Sequence, residues 1–207
     1  MATYVLIHGA GDVGWYWHLV DAELRERGHD VVAPDLPCDD DSAGLSEYAD
    51  AVLDAIGDGA DLVVVAQSFA GFTAPLVCDR VPVELLVLLA GMIPSPGEAP
   101  RDWWANTGYE REGRREGDDD VIVTFYHDVP PELVSEALKR GRSQSGTPTP
   151  EPWPSRRGPM CPPGSSSVAT TDSSHPTSCA GWYASAWASS PTRSTADTVS
   201  PSAARRS

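Results

Sequence analysis

Short apolar runs alternate with amphipathic segments along the first 90 residues. Runs at 3–7, 30–34, 61–66 and 85–89 predict four β-strands, and the last two are continuous enough to be buried on both faces of a sheet. Helical spacing of apolar residues predicts helices over 15–27, over 45–56 with Ser46 as its N-cap, and from the third strand to about Arg80. Strands that alternate with helices predict right-handed crossovers, so the fold class is α/β with a mostly parallel sheet.

This regularity stops after Met92. Residues 94–117 are rich in Gly, Pro, Trp and charged side chains, and a short helix opened by Pro130 and Pro131 follows. We therefore predict that about 93–150 form an insertion over the sheet, such as a small lid.

Charge and cysteine usage narrow the classes of function. With 15 basic and 30 acidic side chains the net charge is −15, which disfavours a nucleic-acid partner. The longest apolar run, 85–93, is half the roughly 18 residues that a membrane span needs. The start of the chain has no basic region typical of a secretory signal, and the four cysteines show no paired spacing. We expect reduced thiols, no membrane contact and a cytoplasmic location.

The composition changes abruptly near residue 155. Residues 155–207 contain 14 Ser, 6 Thr and 6 Pro, but no Leu, Ile or Phe. Such a segment buries too little apolar surface to offset its chain entropy, and we expect it to be a disordered Ser/Pro/Thr/Arg tail without strands. The division predicted is a 1–154 core and a 155–207 tail.

Ser68 has the setting of a catalytic nucleophile. It follows a buried strand in the sequence Ala66-Gln67-Ser68-Phe69-Ala70-Gly71, with small residues two positions before and after it. A sharp strand–turn–helix elbow needs these small residues, because backbone and helix crowd there. The alternative is that Ser68 merely caps the following helix, and we favour the nucleophile.

The turn at the end of the first strand supplies a second element, His8-Gly9-Ala10-Gly11. An oxyanion needs two preorganised N–H donors, and the residue after the nucleophile, Phe69, and Ala10 in this turn are the predicted pair. We do not assign His8 as the base, because an imidazole in such a turn typically braces the loop by hydrogen bonding.

These motifs resemble the α/β-hydrolase superfamily, within it the small esterase and hydroxynitrile-lyase-like group that includes plant methylesterases. The likeness covers roughly residues 3–154. The residues that carry it are Val5-Leu6-Ile7-His8-Gly9-Ala10, Gly14-Trp15-Tyr16-Trp17, Gly28-His29-Asp30-Val31, Ala33-Pro34-Asp35-Leu36 and Ala66-Gln67-Ser68-Phe69-Ala70-Gly71. The resemblance implies an α/β-hydrolase fold, Ser68 as nucleophile, Ala10 and Phe69 as oxyanion donors and a cap after Met92. It also implies an acid and a histidine on separate loops after later strands.

The chain departs from the family pattern at this acid and histidine. His127 precedes the short lid helix, where we expect a loop role. Asp172 and His175 give the order Ser, Asp, His, but they lie three residues apart in a segment predicted to have no strand. We interpret this pair as coincidental, so the C-terminal strands, the acid and the base are missing.

We hypothesise that residues from about 155 are translated out of frame through a one-base insertion or deletion. A Ser-, Pro-, Thr-, Arg- and Ala-rich stretch is what misread GC-rich DNA produces. With suitable GC-rich codons, reading one base earlier turns 155–174 into an apolar strand ending in acids, and 193–202 into a glycine turn with a histidine. Because most amino acids have several synonymous codons, the protein sequence does not fix the result of this shifted reading.

The leading interpretation is a serine hydrolase that cleaves a small carboxylic ester, inactive in this chain if acid and base are absent. The alternatives are a hydroxynitrile-lyase-like enzyme, a non-catalytic ligand-binding homologue and a nonfunctional product. Candidate pocket residues are Trp15, which is more typical of a core, and Trp103 and Trp104 in the insertion. No phosphate loop, nicotinamide fingerprint or metal cluster is evident, so we expect no cofactor and no metal, with a small-molecule ester as partner.

Overall fold

All strands of the sheet are parallel, so their carboxyl ends share one edge. The computed structural model describes residues 1–107, 118–154 and 167–171. The order β2-β1-β3-β4-β5 places β2 on one side of β1 and β3 on the other, and such a switch point opens a crevice at the carboxyl edge. The predicted α/β-hydrolase-type parallel sheet is confirmed. The strands are β1 (Thr3–Ile7), β2 (Asp30–Val32), β3 (Leu62–Gln67), β4 (Leu85–Leu89) and β5 (Ser167–Thr171).

Among the described residues, three helices connect the strands and three lie in the insertion. A 3₁₀ turn, Gly14–Trp17, precedes the first helix, and another, Ser68–Gly71, precedes the third, so two of the predicted helices begin with a tighter turn. The helices are α1 (His18–Glu26), α2 (Leu45–Ile56), α3 (Ala74–Cys78), α4 (Pro100–Asn106), α5 (Asp118–Phe125) and α6 (Pro131–Arg140).

The sheet has a core on each face because side chains alternate along every strand. In β1, Val5 and Ile7 belong to the larger core with α2 and α3, whereas Leu6 packs on the opposite face with Trp17 and Leu24. Both faces of the central strands are covered, which explains the near-continuous apolar runs that predicted them.

The chain returns from the insertion as a segment of turns and irregular backbone, 141–154, which we call the return strap. Its last aromatic residue, Trp153, is 1% exposed, packs in the larger core and donates its indole N–H to the Phe72 carbonyl at 3.0 Å. The Trp153 amide also donates to the Glu98 carbonyl at 3.0 Å. The core of the protein therefore extends to the last residues before position 155.

The structure corrects two sequence predictions. The N-cap of α2 is Gly44 and not Ser46, and the Glu47 carboxylate accepts a hydrogen bond from the Gly44 N–H at 2.8 Å. Ser167–Thr171 form a parallel strand beside β4, with Leu85 opposite Ser167, so the prediction of a tail without strands is wrong for these five residues. Backbone pairing alone places β5, since Ser-Val-Ala-Thr-Thr carries little apolar signal. The remainder of 155–207 lies outside the described residues.

The burial of Trp153 leads to a stability prediction. Trp153→Ala removes a buried indole and leaves the Phe72 carbonyl without its donor, so we expect a loss of about 3–5 kcal/mol in the free energy of unfolding. The matched control is Trp104→Ala, because Trp104 is 48% exposed and its removal costs under about 1 kcal/mol. Urea unfolding of the full chain measures both, and equal losses would contradict the assignment of the return strap to the core.

Candidate active site

Ser68 lies at a sharp elbow between β3 and the following 3₁₀ turn. Its φ of +53° is in the left-handed region, which costs a non-glycine residue energy and is the strained conformation expected of the predicted elbow. The Ser68 carbonyl accepts a hydrogen bond from the Met92 N–H at 2.9 Å. The loop after β4 therefore helps to hold the elbow in this conformation.

Close packing explains the small residues around Ser68. Ala66 and Ala70 are fully buried. A Cβ on Gly71 would lie 2.1 Å from the Met92 carbonyl oxygen, so only glycine fits there. The crowding inferred from the sequence at Ala66 and Ala70 thus extends to Gly71, which lies against the β4 loop.

His8 braces the turn after β1, as expected from the sequence. Its Nε2 accepts a hydrogen bond from the Leu36 N–H at 2.9 Å, so the ring proton is on Nδ1, which donates to the Gly9 carbonyl at 2.8 Å. Burial lowers the pKa of His8, and this favours the neutral ring. Both ring nitrogens are occupied by backbone groups, so His8 does not act on Ser68.

The hydrogen bonds to Gly9 orient the N–H group of Ala10. The Gly9 carbonyl accepts from His8 and from the Asp12 N–H, the latter at 3.3 Å. In a trans peptide the N–H points away from the carbonyl, so these two bonds also fix the direction of the Ala10 N–H. Among the described residues, none accepts a hydrogen bond from it. The direction of the predicted donor at Ala10 is therefore fixed by its neighbours.

Gly9 brings the β1 turn and the elbow into contact. A Cβ on Gly9 would lie 2.3 Å from Oε1 of Gln67, the residue before Ser68, and 3.2 Å from Oδ2 of Asp12. Burial raises the pKa of Asp12 to about 7, and a hydrogen bond from the Gly9 backbone only partly opposes this. A carboxyl group that ionises near neutral pH thus lies in the predicted oxyanion turn.

The aromatic candidates occupy three different settings. Trp15 follows Gly14. Its ring stacks on His18 at a centroid distance of 4.1 Å, and the Arg140 guanidinium lies 4.7 Å from the ring centroid. Trp103 packs against the larger core and donates its indole N–H to the Ile93 carbonyl at 3.0 Å, next to the loop that holds Ser68. Trp104 is exposed and packs edge-on against Trp103. A pocket role for these three residues stays a prediction.

No described histidine hydrogen-bonds to Ser68. His18 bonds to the Trp15 carbonyl, and His29 accepts a hydrogen bond from the Ala2 N–H near the amino end of β2. His127 is exposed after α5. Asp172 and His175 lie outside the described residues, although Asp172 directly follows β5, so the strand-free segment assumed for this pair is corrected.

Sequence reasoning missed the residues that connect distant segments to this site. Asp12, Arg142 and Gln144 belong to no motif. Arg142 and Gln144 contact residues more than a hundred positions away in the sequence, and the raised pKa of Asp12 depends on its burial. Asp35, noted only as part of the resemblance, accepts a hydrogen bond from the Gly14 N–H at 2.7 Å.

The described part of the chain contains no group of three or more side chains able to hold a metal ion, and no helix long and apolar enough to cross a membrane.

Comparison with known proteins identifies the family. The chain is 36% identical over 107 residues to the probable esterase PIR7A of Oryza sativa subsp. indica, covering 46% of this chain and 41% of that protein. It is 31% identical over 110 residues to methylesterase 7 of Arabidopsis thaliana, covering 47% and 42%. The chain thus spans less than half the length of these curated relatives.

A solved structure agrees with the architecture. A pyrethroid hydrolase from Sphingobium faniae JZ-2 superposes with a TM-score of 0.62 at 20% identity, covering 88% of this chain and 91% of that one, a likeness of fold. The family model described as "Alpha/beta hydrolase family" matches residues 4–203. Together with the elbow at Ser68, this match shows that the chain belongs to the alpha/beta hydrolase family.

Proposed function

We propose that the site at Ser68 is that of a serine hydrolase for small carboxylic esters, working through an acyl-enzyme. The observation that carries the proposal is the left-handed Ser68 beside a turn whose Ala10 N–H is oriented and donates to no described residue. The esterase names of the relatives from rice and Arabidopsis support it. The chemistry requires a nucleophile, two oxyanion donors and a base, and the first two lie at the crevice between β1 and β3.

In this mechanism Ser68 Oγ attacks the ester carbonyl carbon while a base takes its proton. The carbonyl oxygen becomes an oxyanion, which the N–H groups of Ala10 and Phe69 stabilise. The bond to the alkoxy oxygen then breaks, and the alcohol leaves with the proton. A water molecule, deprotonated in the same way, attacks the acyl-enzyme and releases the carboxylic acid and Ser68.

We further propose that residues from about 155 are read out of frame, which removes the acid and the base. Support comes from the return strap, whose side chains are still matched to the core at Trp153. It also comes from β5, which brings Ser-Val-Ala-Thr-Thr to a sheet whose neighbouring strand reads Leu-Leu-Val-Leu-Leu. Buried parallel strands are normally rich in Val, Ile and Leu. We therefore propose that the frame change lies after Trp153.

The absence of a histidine bonded to Ser68 in the described residues favours a second candidate function for this chain. A member of the family without its base binds ligands at the crevice and retains only the weak reactivity that an oxyanion hole provides. For either function we propose a cytoplasmic location, supported by the buried thiol of Cys38, which forms no disulfide within the described residues.

The nucleophile is tested by covalent labelling with a fluorophosphonate probe. We expect slow labelling at Ser68 and its loss in Ser68→Ala, because without a base the hydroxyl keeps only the weak reactivity that the oxyanion donors provide. Ser42→Ala is the control, since Ser42 is exposed and its hydroxyl donates a hydrogen bond to Asp40. Intact-mass and peptide spectrometry locate the adduct, and parent protein that stays unlabelled would favour the pure binding function.

The frame is tested by sequencing the genomic DNA across codons 151–157 and by building the repaired gene. We expect a missing or extra base, and we expect the repaired chain to hydrolyse a p-nitrophenyl ester at least about 10³-fold faster, since a triad supplies up to about 10⁶-fold. Ser68→Ala in the repaired chain is the matched control. Unchanged DNA together with full esterase activity of the parent chain would refute the frame proposal.

The ionisation of Asp12 predicts a pH dependence. Above about pH 7 its carboxylate opposes negative charge on an oxygen bound at Ala10, whereas below about pH 6 it is neutral. Asp12→Asn stays neutral, so its labelling rate relative to the parent is expected to be near one at about pH 6 and about 3–10 at pH 8.5. A constant ratio would contradict the assignment.

The same group gives an independent prediction for stability. The folded-state pKa of Asp12 is raised from the ordinary 3.8 to about 7, so its stabilising contribution is complete below 3.8 and is lost as the pH rises through 7. The melting temperature of Asp12→Asn minus that of the parent is therefore expected to increase from pH 4 to pH 7 and then to level off. Calorimetry over this range measures the difference.

A further inference from the structure

The return strap holds the β1 turn through the backbone of Gly11. The Gly11 carbonyl accepts a hydrogen bond from the Arg142 N–H at 2.7 Å, and the Gly11 N–H donates to the Gln144 side-chain oxygen at 3.2 Å. Both polar backbone groups of the residue next to Ala10 are thus bonded to one short segment. Gln144 is itself oriented by its amide, which donates to the Tyr48 hydroxyl at 2.9 Å.

The side chain of Arg142 holds the other end of the turn through Asp35. Its guanidinium donates to one Asp35 oxygen at 2.7 Å, while the other Asp35 oxygen accepts from the Gly14 N–H at 2.7 Å. A longer contact of 3.5 Å joins Arg142 to Asp39. The positive charge of Arg142 thus offsets the negative charges of the Asp35 and Asp39 carboxylates, and its hydrogen bond keeps Asp35 directed at the turn.

The contact between strap and turn is too close for any residue but glycine at position 11. Gly11 has a φ of +71°, and a Cβ there would lie 2.8 Å from the Arg142 carbonyl oxygen. Ala10 therefore lies between two residues whose backbones are fixed by hydrogen bonds. The Gly9 carbonyl is bonded to the buried His8 ring, and the Gly11 backbone is bonded to the return strap.

We propose that Arg142 and Gln144 are positioning residues for the oxyanion donor Ala10, and that the strap makes the insertion and the oxyanion turn one mechanical unit. This inference rests on the proposed function. It concerns residues that touch neither the nucleophile nor the oxyanion, and it acts on the geometry of the donor. Because α6 ends at Arg140, two residues before Arg142, a displacement of the insertion is transmitted to the Gly11 peptide.

The inference is tested by the kinetics of fluorophosphonate labelling of the full chain, separated into reversible affinity and maximal inactivation rate. Donor displacement affects the transition state, whose oxygen carries the charge, more than ground-state binding. For Arg142→Ala and Gln144→Leu we expect an inactivation rate about 10- to 100-fold lower with affinity within about twofold. Arg142→Lys retains a cation for Asp35 and is expected to recover most of the rate.

The matched control is Arg80→Ala, because Arg80 has similar exposure and an ion pair with Asp50, away from the turn. Its inactivation rate is expected to equal that of the parent.

Parent labelling at Ser68 with an unchanged rate in both Arg142→Ala and Gln144→Leu would overturn the inference and leave the proposed function intact. A parent that does not label at Ser68 would overturn both. Melting temperatures establish that each variant is folded, and a rate loss that merely follows the melting temperature across all four variants also counts against positioning.

Discussion

The pairing of β1 with β3 is the constraint on which the site depends. In this register Ile7 lies opposite Ala66, so His8, the first residue after β1, comes next to Gln67, the last residue of β3. The oxyanion turn and the nucleophile elbow therefore emerge side by side from neighbouring strands. A slip of one residue would reverse the faces of the β1 side chains and separate Gly9 from Gln67, so the buried core enforces the geometry of the site.

The strain at Ser68 is stabilised by its surroundings. A left-handed non-glycine residue costs on the order of 1–3 kcal/mol, and the elbow offsets this with the Met92 hydrogen bond and the close approach of Gly71 to the same residue. Both contacts come from the loop after β4. The reactive conformation thus depends on β1, β3 and β4 together, and the sharp turn follows from how these three strands end.

The elements with strong periodicity were predicted within one or two residues. β1, β4 and α2 have the expected bounds, because continuous apolar runs and helical spacing are local signals. The elbow was also predictable, since crowding demands small residues near Ser68. The strap contacts were not, because the bonds from Arg142 and Gln144 to Gly11 link positions that share no local pattern. β5 was missed for a related reason, since its residues have little apolar character and only pairing with β4 defines it.

The two halves of the proposed catalytic machinery are encoded in separate parts of the chain. The nucleophile and its oxyanion donors require only segments before position 93, and the strap that holds them ends by Trp153. The resemblance to the family implies that the acid and the histidine lie on loops that follow later strands. A defect after Trp153 therefore removes proton transfer without removing the strained serine or the oriented Ala10 N–H. Such a chain would keep a preorganised ester-binding crevice while losing the step that makes Ser68 a strong nucleophile, because orientation and activation have different structural origins.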